Sequence, residues 1–270
     1  MMMNSTLRMY LSLFVVKFKN EMSYRVGVLL ASLMLMLYSV IGIFIWLAVY
    51  TFSHVSSIAG ITLTTTLLYF VIDGALAPVL GPSEIVDSMY TDIKEGTITT
   101  SLIRPMNYFS QLIVGDIAMI MPNLVMVSIP VIVAVVILAN LSIALPIAIL
   151  FVTYVIFGYI IATLLGFIVG SLALYLTDIY GINVSLMWLT TIIGGGMLPL
   201  AFFPQNMQHI LLMLPFAFLA YVPAGTLVGM LSASTAVSLL PIGVVWIAAF
   251  AVIAYFMWKR MSVRMNAVYI

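Results

Sequence analysis

The sequence predicts an all-α integral membrane protein with six transmembrane helices. Hydrophobic residues make up 65% of the 270 residues and charged residues only 6%, whereas an ordinary soluble domain is about 25% charged. A soluble fold of this length cannot hide so much apolar surface. Uncharged stretches over residues 26–52, 117–177 and 179–258 are long enough for several helices that cross a hydrocarbon layer of about 30 Å.

Polar breaks set the predicted ends of the spans. A helix of about 20 residues crosses a bilayer, so residues 117–177 must hold two spans, and the sequence ANLS at residues 139–142 separates them. The loop SHVSS at residues 53–57 separates the first two. The predicted spans are residues 26–52, 58–80, 112–138, 144–175, 180–202 and 235–258.

The positive charges predict the sidedness. Four lie before or at the first span, two lie in residues 82–111 and three lie at the C-terminal end, while the loops near residues 54 and 140 have none. The positive-inside rule places all three basic segments in the cytoplasm, so both termini are cytoplasmic and the number of spans is even. The nine residues are Arg8, Lys17, Lys19, Arg25, Lys94, Arg104, Lys259, Arg260 and Arg264.

An even number of spans requires that residues 204–232 do not cross the membrane. Pro204, Pro215 and Pro223 would interrupt a helix there. Irregular backbone at membrane depth is tolerated when it packs against protein. The sequence therefore predicts a re-entrant hairpin that enters from the outer face, between the fifth and sixth spans.

The N-terminal residues 4–24 are predicted to form an amphipathic helix in the plane of the lipid headgroups. Leu7 and Leu11 recur on one side at helical spacing, while Arg8 and Lys19 lie on the other. Basic side chains on such a helix face anionic lipid. The alternative is a frayed cytoplasmic tail.

Residues 82–111, here called the charged segment, form the long internal stretch that is not apolar. Ser83 is suited to begin a short helix and Gly96 to end it. A second short turn over residues 97–103 is expected to close at Arg104, because a residue before proline avoids helical geometry. A charged segment of this size between apolar spans must lie in water. We expect a separate motor protein to bind it there.

Motifs for catalysis are missing from the sequence. It contains no GxxxxGK[ST] phosphate loop, no HExxH, no GxSxG and no cysteine. The two histidines, His54 and His209, are far apart in predicted outer loops, and we assign them no metal. We therefore expect no catalytic residues, and no cofactor bound by this chain.

One acidic residue, Asp73, lies well within a predicted span. An ionisable residue at that depth marks a functional site or has a buried partner. The alternatives are a structural role, in which Asp73 accepts hydrogen bonds from Thr and Tyr side chains of neighbouring helices, or a position near the cytoplasmic end of the span. The candidate residues of a substrate path are Tyr69, Asp73, Met197, Pro199 and Phe202.

The chain resembles the permeases of type-2 ABC transporters. The resemblance lies in the Glu-Gly-Thr stretch at residues 95–97, the Leu-Ile-Arg-Pro motif at residues 102–105, and residues 194–229, which are similar to the outer re-entrant region of that family. The closest similarity is to the branch with a Leu-x-Arg-Pro motif in the loop. It covers almost the whole chain.

The resemblance implies a half-transporter in a prokaryotic cytoplasmic membrane. It would pair with a second copy or a paralogous permease, and would export a hydrophobic or amphipathic, drug-like substrate. An ABC ATPase subunit would bind ATP and Mg and dock on the charged segment. The residues expected at or beside that contact are Asp87, Tyr90, Asp92, Lys94, Glu95, Gly96, Thr97, Arg104 and Pro105.

Other classes of membrane protein stay open as alternatives. An ion-coupled secondary transporter would work without an ATPase, but it usually has several ionisable residues within its spans, and here we find Asp73 alone. An embedded enzyme would need a catalytic cluster.

Overall fold

The computed structural model describes residues 2–81 and 83–269, and helices dominate this part of the chain. The exception is a short hairpin of strands β1 (Ser57–Ile58) and β2 (Ile61–Thr62). The helices are α1 (Met2–Ser23), α2 (Arg25–Ser53), α3 (Leu63–Leu80), α4 (Ser83–Lys94), α5 (Ile98–Ile103), α6 (Tyr108–Asn123), α7 (Ile129–Leu138), α8 (Leu145–Ser171), α9 (Tyr180–Ile193), α10 (Gln205–Leu212), α11 (Tyr221–Val228) and α12 (Ala233–Tyr269).

Several side chains that matter for the sequence predictions lie outside the described residues. The cap at Ser83 therefore stays a prediction, and the side chains of Leu102 and Ile103 in the Leu-Ile-Arg-Pro motif also lie outside the described residues. The basic side chains of Arg25 and Arg264 also lie outside the described residues, so their cytoplasmic position stays a prediction.

Four helical stretches of the described chain are long and apolar enough to cross a membrane. Two shorter apolar helical stretches, Ser39–Ser53 and Tyr180–Ile193, accompany them. Together they show an all-α, multi-pass membrane protein. The four stretches are Leu63–Lys94, Tyr108–Leu138, Leu145–Leu174 and Ala233–Val263.

The second predicted span, residues 58–80, begins with the hairpin rather than with helix. Ala59 and Gly60 both have positive φ, which makes the hairpin turn, and the Thr62 side chain then caps α3 by accepting a hydrogen bond from the Thr65 backbone N–H at 3.3 Å. Helix α3 continues through Pro78 and ends at Leu80, where the backbone of Gly81 is extended.

Helices α6 and α7 form one continuous rod, joined by a π-helical turn over Leu124–Ser128. Pro130, the second residue of α7, has no backbone N–H, and the widened turn just before it accommodates the lost hydrogen bond. The rod ends at Leu138 and α8 begins at Leu145, so the predicted break at residues 139–142 falls between two helices.

The predicted fifth span, residues 180–202, is helical only as far as Ile193. Helix α9 has 14 residues, which gives a length of about 21 Å. Gly195 follows with a φ of 99°, a conformation that glycine adopts without strain, and the chain turns there. Residues 200–202 form a separate 3₁₀ turn.

Residues 204–232 fold as two short helices, α10 and α11, with a 3₁₀ turn over Pro215–Leu219 between them. Residues 217–227 are buried without interruption, and α11 packs against α8 and α3. The backbone of residues 217–227 is thus enclosed by protein, as polar backbone groups require in an apolar environment, whereas most of α10 is exposed.

Helix α8 is the centre of the bundle and contacts α3, α4, α11 and α12. Two glycines allow close approach: a Cβ at Gly158 would lie 2.5 Å from the Phe218 carbonyl oxygen, and one at Gly170 would lie 2.9 Å from the Met89 Cβ. Helix α12 has 37 residues, a length of about 55 Å. It therefore extends well beyond an apolar layer of about 30 Å.

Helix α1 packs against α6, and the Tyr10 hydroxyl accepts a hydrogen bond from the Asn107 backbone N–H at 3.3 Å. The apolar side chains of Leu7, Leu11 and Val15 stay exposed in the isolated chain. Placement of this helix among lipid headgroups stays a prediction that these exposed side chains support.

Candidate functional site

The charged segment folds as the helices α4 and α5, joined by a turn at Gly96 with a φ of 74°. Arg104, before Pro105, has extended backbone and ends the pair of helices. One face of α4 packs against α8, and the side chains on its other face are exposed. The buried side chains of α4 are Ile85, Val86, Met89 and Ile93.

Asp92 holds the charged segment together. Its Oδ1 accepts a hydrogen bond from the Thr97 hydroxyl at 2.9 Å, and its Oδ2 accepts one from the Tyr108 hydroxyl at 2.9 Å. The carboxylate therefore connects α4 both to the turn before α5 and to the first residue of α6. Hydrogen bonds to an ionised carboxylate are stronger than those between neutral groups.

Tyr108 extends this connection to α12. Its ring is 2% exposed and stacks on Trp258 with centroids 5.7 Å apart and planes inclined by 15°. Trp258 also contacts Phe167 of α8, with ring centroids 6.4 Å apart. We call the residues Asp92, Thr97, Tyr108 and Trp258 the Asp92 network.

Two further side chains of α4 attach it to the rest of the bundle. The Lys94 ammonium donates to the Leu176 carbonyl at 3.2 Å and lies 5.7 Å from the centroid of the Tyr90 ring. Asp87 accepts a hydrogen bond from the Asn183 side chain of α9 at 3.2 Å. These bonds fix α4 against the chain after α8 and against α9.

The predicted contact residues therefore divide into two groups. Asp87, Asp92 and Lys94 make hydrogen bonds within the chain, whereas the side chains of Glu95 and Arg104 are exposed and meet no partner among the described residues. The members whose side chains are exposed and make no hydrogen bond within the described residues, Glu95, Arg104 and Pro105, are here called the docking patch.

A second candidate site lies where α3 meets the glycine turn after α9. The Tyr69 hydroxyl donates to the Gly195 carbonyl at 2.8 Å, and its ring is fully buried. Asp73 follows one turn later on α3, and a Cβ at Gly196 would lie 3.5 Å from its Oδ2. Tyr69 and Asp73 thus meet the same glycine turn, as their shared face on α3 permits.

The other predicted path residues are spread around this turn. Met197 is 54% exposed and follows the glycines directly, whereas Pro199 is buried. The Phe202 ring stacks on Trp46 of α2 with centroids 4.2 Å apart. The structure therefore brings Tyr69 and Asp73 to the glycine turn that Met197 follows, whereas Phe202 packs on α2.

The sequence predictions missed Tyr221, whose ring lies 5.9 Å from that of Tyr69, centroid to centroid. The signal that the sequence offered was an aromatic residue in a stretch interrupted by proline and glycine. The Tyr221 hydroxyl is buried beside the side chain of Gln208.

They also missed a cavity of about 330 Å³ between the hairpin and the re-entrant helices. Its lining is mainly polar and carries no charged side chain. The residues that line it include Gly60, Thr62, Thr65, Gln208 and Gly229. Gln208 thus lies between this cavity and the aromatic residues next to Asp73.

Comparison with known proteins identifies the family of the chain. No curated protein sequence matches the chain. A family model described as ABC-2 family transporter protein matches residues 36–267, which include the charged segment and the Asp73 site. The chain therefore belongs to the ABC-2 family of transporter proteins and is a membrane-embedded permease subunit of an ABC transporter.

Proposed function

We propose that the chain is the permease of an ATP-driven exporter whose ATPase is a separate subunit bound at the docking patch. The observation that carries this proposal is the Asp92 network. It attaches the charged segment to α6 and α12, while packing attaches it to α8. A displacement of the charged segment would therefore reach several apolar helices at once.

In the proposed cycle, ATP and Mg bind to the partner ATPase, and its closure moves α4. Since α4 is fixed to α6 and packed on α8, the displacement reaches the helices that surround the path. The motor can shift the permease between two states only by as much as it binds one state better than the other. A second copy of this permease, or a paralogue, would complete the path.

The substrate path in this proposal runs from the Asp73 site to the cavity beside the hairpin. Cavities of 300–1,000 Å³ hold drug-sized ligands, and the observed volume of about 330 Å³ lies at the small end of that range. A hydrophobic or amphipathic substrate would leave here, with six spans in the membrane and the charged segment in the cytoplasm.

The test is co-expression of the chain with an ABC ATPase encoded next to its gene. The two should co-purify, and inverted membrane vesicles should accumulate a lipophilic dye when ATP is added. A double charge reversal in the docking patch, E95K with R104E, should break both the complex and the accumulation without changing the melting temperature of the permease. Wild-type export by this double variant would disprove the docking assignment.

An ion-coupled carrier is the second candidate, because Asp73 is an acidic residue within α3. It predicts dye transport by the purified chain alone in proteoliposomes, driven by an ion gradient and indifferent to ATP. The matched measurement is the same proteoliposome with ATP and ATPase added and no gradient. Transport only in the first condition would replace the exporter proposal.

A further inference from the structure

The Asp73 carboxylate is placed deep in an apolar layer. It lies ten residues from the start of α3 and seven from its end, which is about 15 Å and 10 Å along the helix axis. No Lys or Arg occurs between residues 26 and 93 or between residues 105 and 258. A second copy of this chain would therefore bring no cation to that depth either.

Within the described residues, no hydrogen bond or ion pair reaches this carboxylate. The Asp73 side chain is half-buried. The exposed, flexible side chain of Met197 follows the glycine turn against which Asp73 packs. A carboxylate without a partner in an apolar environment is costly to keep charged. An incoming cation would supply the missing partner and stabilise the ionised form.

A group of three aromatic rings begins one helical turn before Asp73. Tyr69 lies one turn before Asp73 and contacts Phe70 edge-on at 5.5 Å and Tyr221 at 5.9 Å between centroids. All three rings are buried, so they form an apolar wall near the carboxylate rather than a free aromatic surface. The combination suits a ligand that is both cationic and hydrophobic.

A metal ion fits this place less well than an organic cation. Ca²⁺ and Mg²⁺ need about six oxygen ligands, whereas the Gly195 carbonyl already accepts the Tyr69 hydroxyl. The described residues also contain no cluster of three or more His, Cys, Asp or Glu side chains. An anionic substrate would be repelled, and a neutral one would leave the carboxylate unpaired.

We infer that Asp73 is the recognition site for lipophilic organic cations, and that these are the substrate class of the permease. The inference rests on the proposed export function for its physiological meaning. Binding at Asp73 nevertheless requires no ATPase, so it can be tested on the full chain alone.

The test uses two probes of equal shape and opposite charge, tetraphenylphosphonium and tetraphenylborate. The full chain is reconstituted in nanodiscs, and equilibrium binding of each radiolabelled ion is measured. Partition into lipid is the same for every variant, so the saturable difference reports the site. The chain should bind tetraphenylphosphonium saturably, while tetraphenylborate shows lipid partition only.

Variants separate the charge of Asp73 from its structural effects. D73N should weaken tetraphenylphosphonium binding at least about tenfold, because it removes an unscreened charge at unchanged size. D73E should retain binding, and the matched control D178N, which removes an exposed carboxylate outside both sites, should leave it unchanged.

Three results would overturn the inference: no saturable cation binding, equal binding of both ions by the wild-type chain, or wild-type affinity in D73N. The comparison of the two ions needs no variant, so it decides the question even where D73N folds poorly. Loss of this site leaves the exporter proposal intact, since that proposal depends on ATPase binding and ATP-driven accumulation. If ATPase binding or ATP-driven accumulation is not observed, the measured binding of the cation at Asp73 still stands.

Discussion

At the scale of single residues, Asp92 and Tyr108 show that an acidic residue of the charged segment can use its hydrogen bonds within the chain. Both oxygens of Asp92 accept hydrogen bonds from within the chain, so this carboxylate offers little to a partner protein. Its charge instead strengthens the two bonds that keep α4 in register with α6. The carboxylate that transmits a displacement, that of Asp92, is thus distinct from the exposed side chains of the docking patch that would contact the ATPase.

Replacing Tyr108 by Phe tests this division. The Y108F variant loses the bond to Asp92 and keeps the ring stack on Trp258. A hydrogen bond to a charged group contributes about 1.5–3 kcal/mol, so the melting temperature should fall. We also expect ATP hydrolysis to continue while transport per ATP falls, as measured in proteoliposomes with the ATPase partner.

The control for Y108F is Y255F, which removes the hydroxyl of an exposed tyrosine on α12. It should change neither stability nor coupling. If Y108F lowers stability but leaves the ratio of transport to hydrolysis at the wild-type value, the Asp92 network is structural only and transmits nothing.

At the scale of elements, local rules explain most of what the sequence predicted correctly. Gly96 adopts positive φ and Arg104 is extended before Pro105, because each depends on its own residue type and its nearest neighbour. The end of α9 at Ile193 was missed because the following apolar residues look like a continuing span. The turn is held by bonds that the sequence does not show: the Tyr69 hydroxyl donates to the Gly195 carbonyl, and the Tyr221 backbone N–H donates to the Gly194 carbonyl.

Long-range partners were beyond prediction for a related reason. Asp92 and Tyr108 are 16 residues apart, and Tyr108 and Trp258 are 150 residues apart. Which helices become neighbours depends on the packing of apolar faces that are nearly uniform in a membrane protein. The sequence therefore indicated which residues were chemically unusual, Asp73 among them, without indicating what they touch.

The packing of the re-entrant segment on α8 can be tested at Gly158. In G158A the new Cβ would lie 2.5 Å from the Phe218 carbonyl oxygen, a backbone atom that cannot move aside freely. Overpacking of this kind costs about 1–3 kcal/mol. The melting temperature in detergent should fall, and residues 215–228 should exchange their amide hydrogens faster.

The matched control is G181A on α9, where a Cβ would meet nothing within 4 Å. Alanine is favoured over glycine in a helix by about 1 kcal/mol, so G181A should be neutral or slightly stabilising. Equal melting temperatures for the two variants would mean that α8 and the re-entrant segment are not in close contact.

At the scale of the whole molecule, the asymmetric distribution of charge gives the bundle its direction. Helix α3 runs from the hairpin to the charged segment, so the uncharged cavity and the docking patch lie at opposite ends. Basic residues cluster before α2, in the charged segment and late in α12. The positive-inside rule then predicts that the end with the docking patch faces the cytoplasm.

Single-cysteine labelling can test this orientation directly, because the natural sequence contains no cysteine. Glu95 and Asn206 are both exposed, the first in the docking patch and the second on α10 beside the cavity. A membrane-impermeant maleimide should label N206C on intact bacterial cells and E95C only in inverted vesicles. The chain is expressed without its ATPase so that no partner shields Glu95. The reverse pattern would place the docking patch outside, out of reach of any cytoplasmic ATPase, and the proposed export mechanism would fail at its first step.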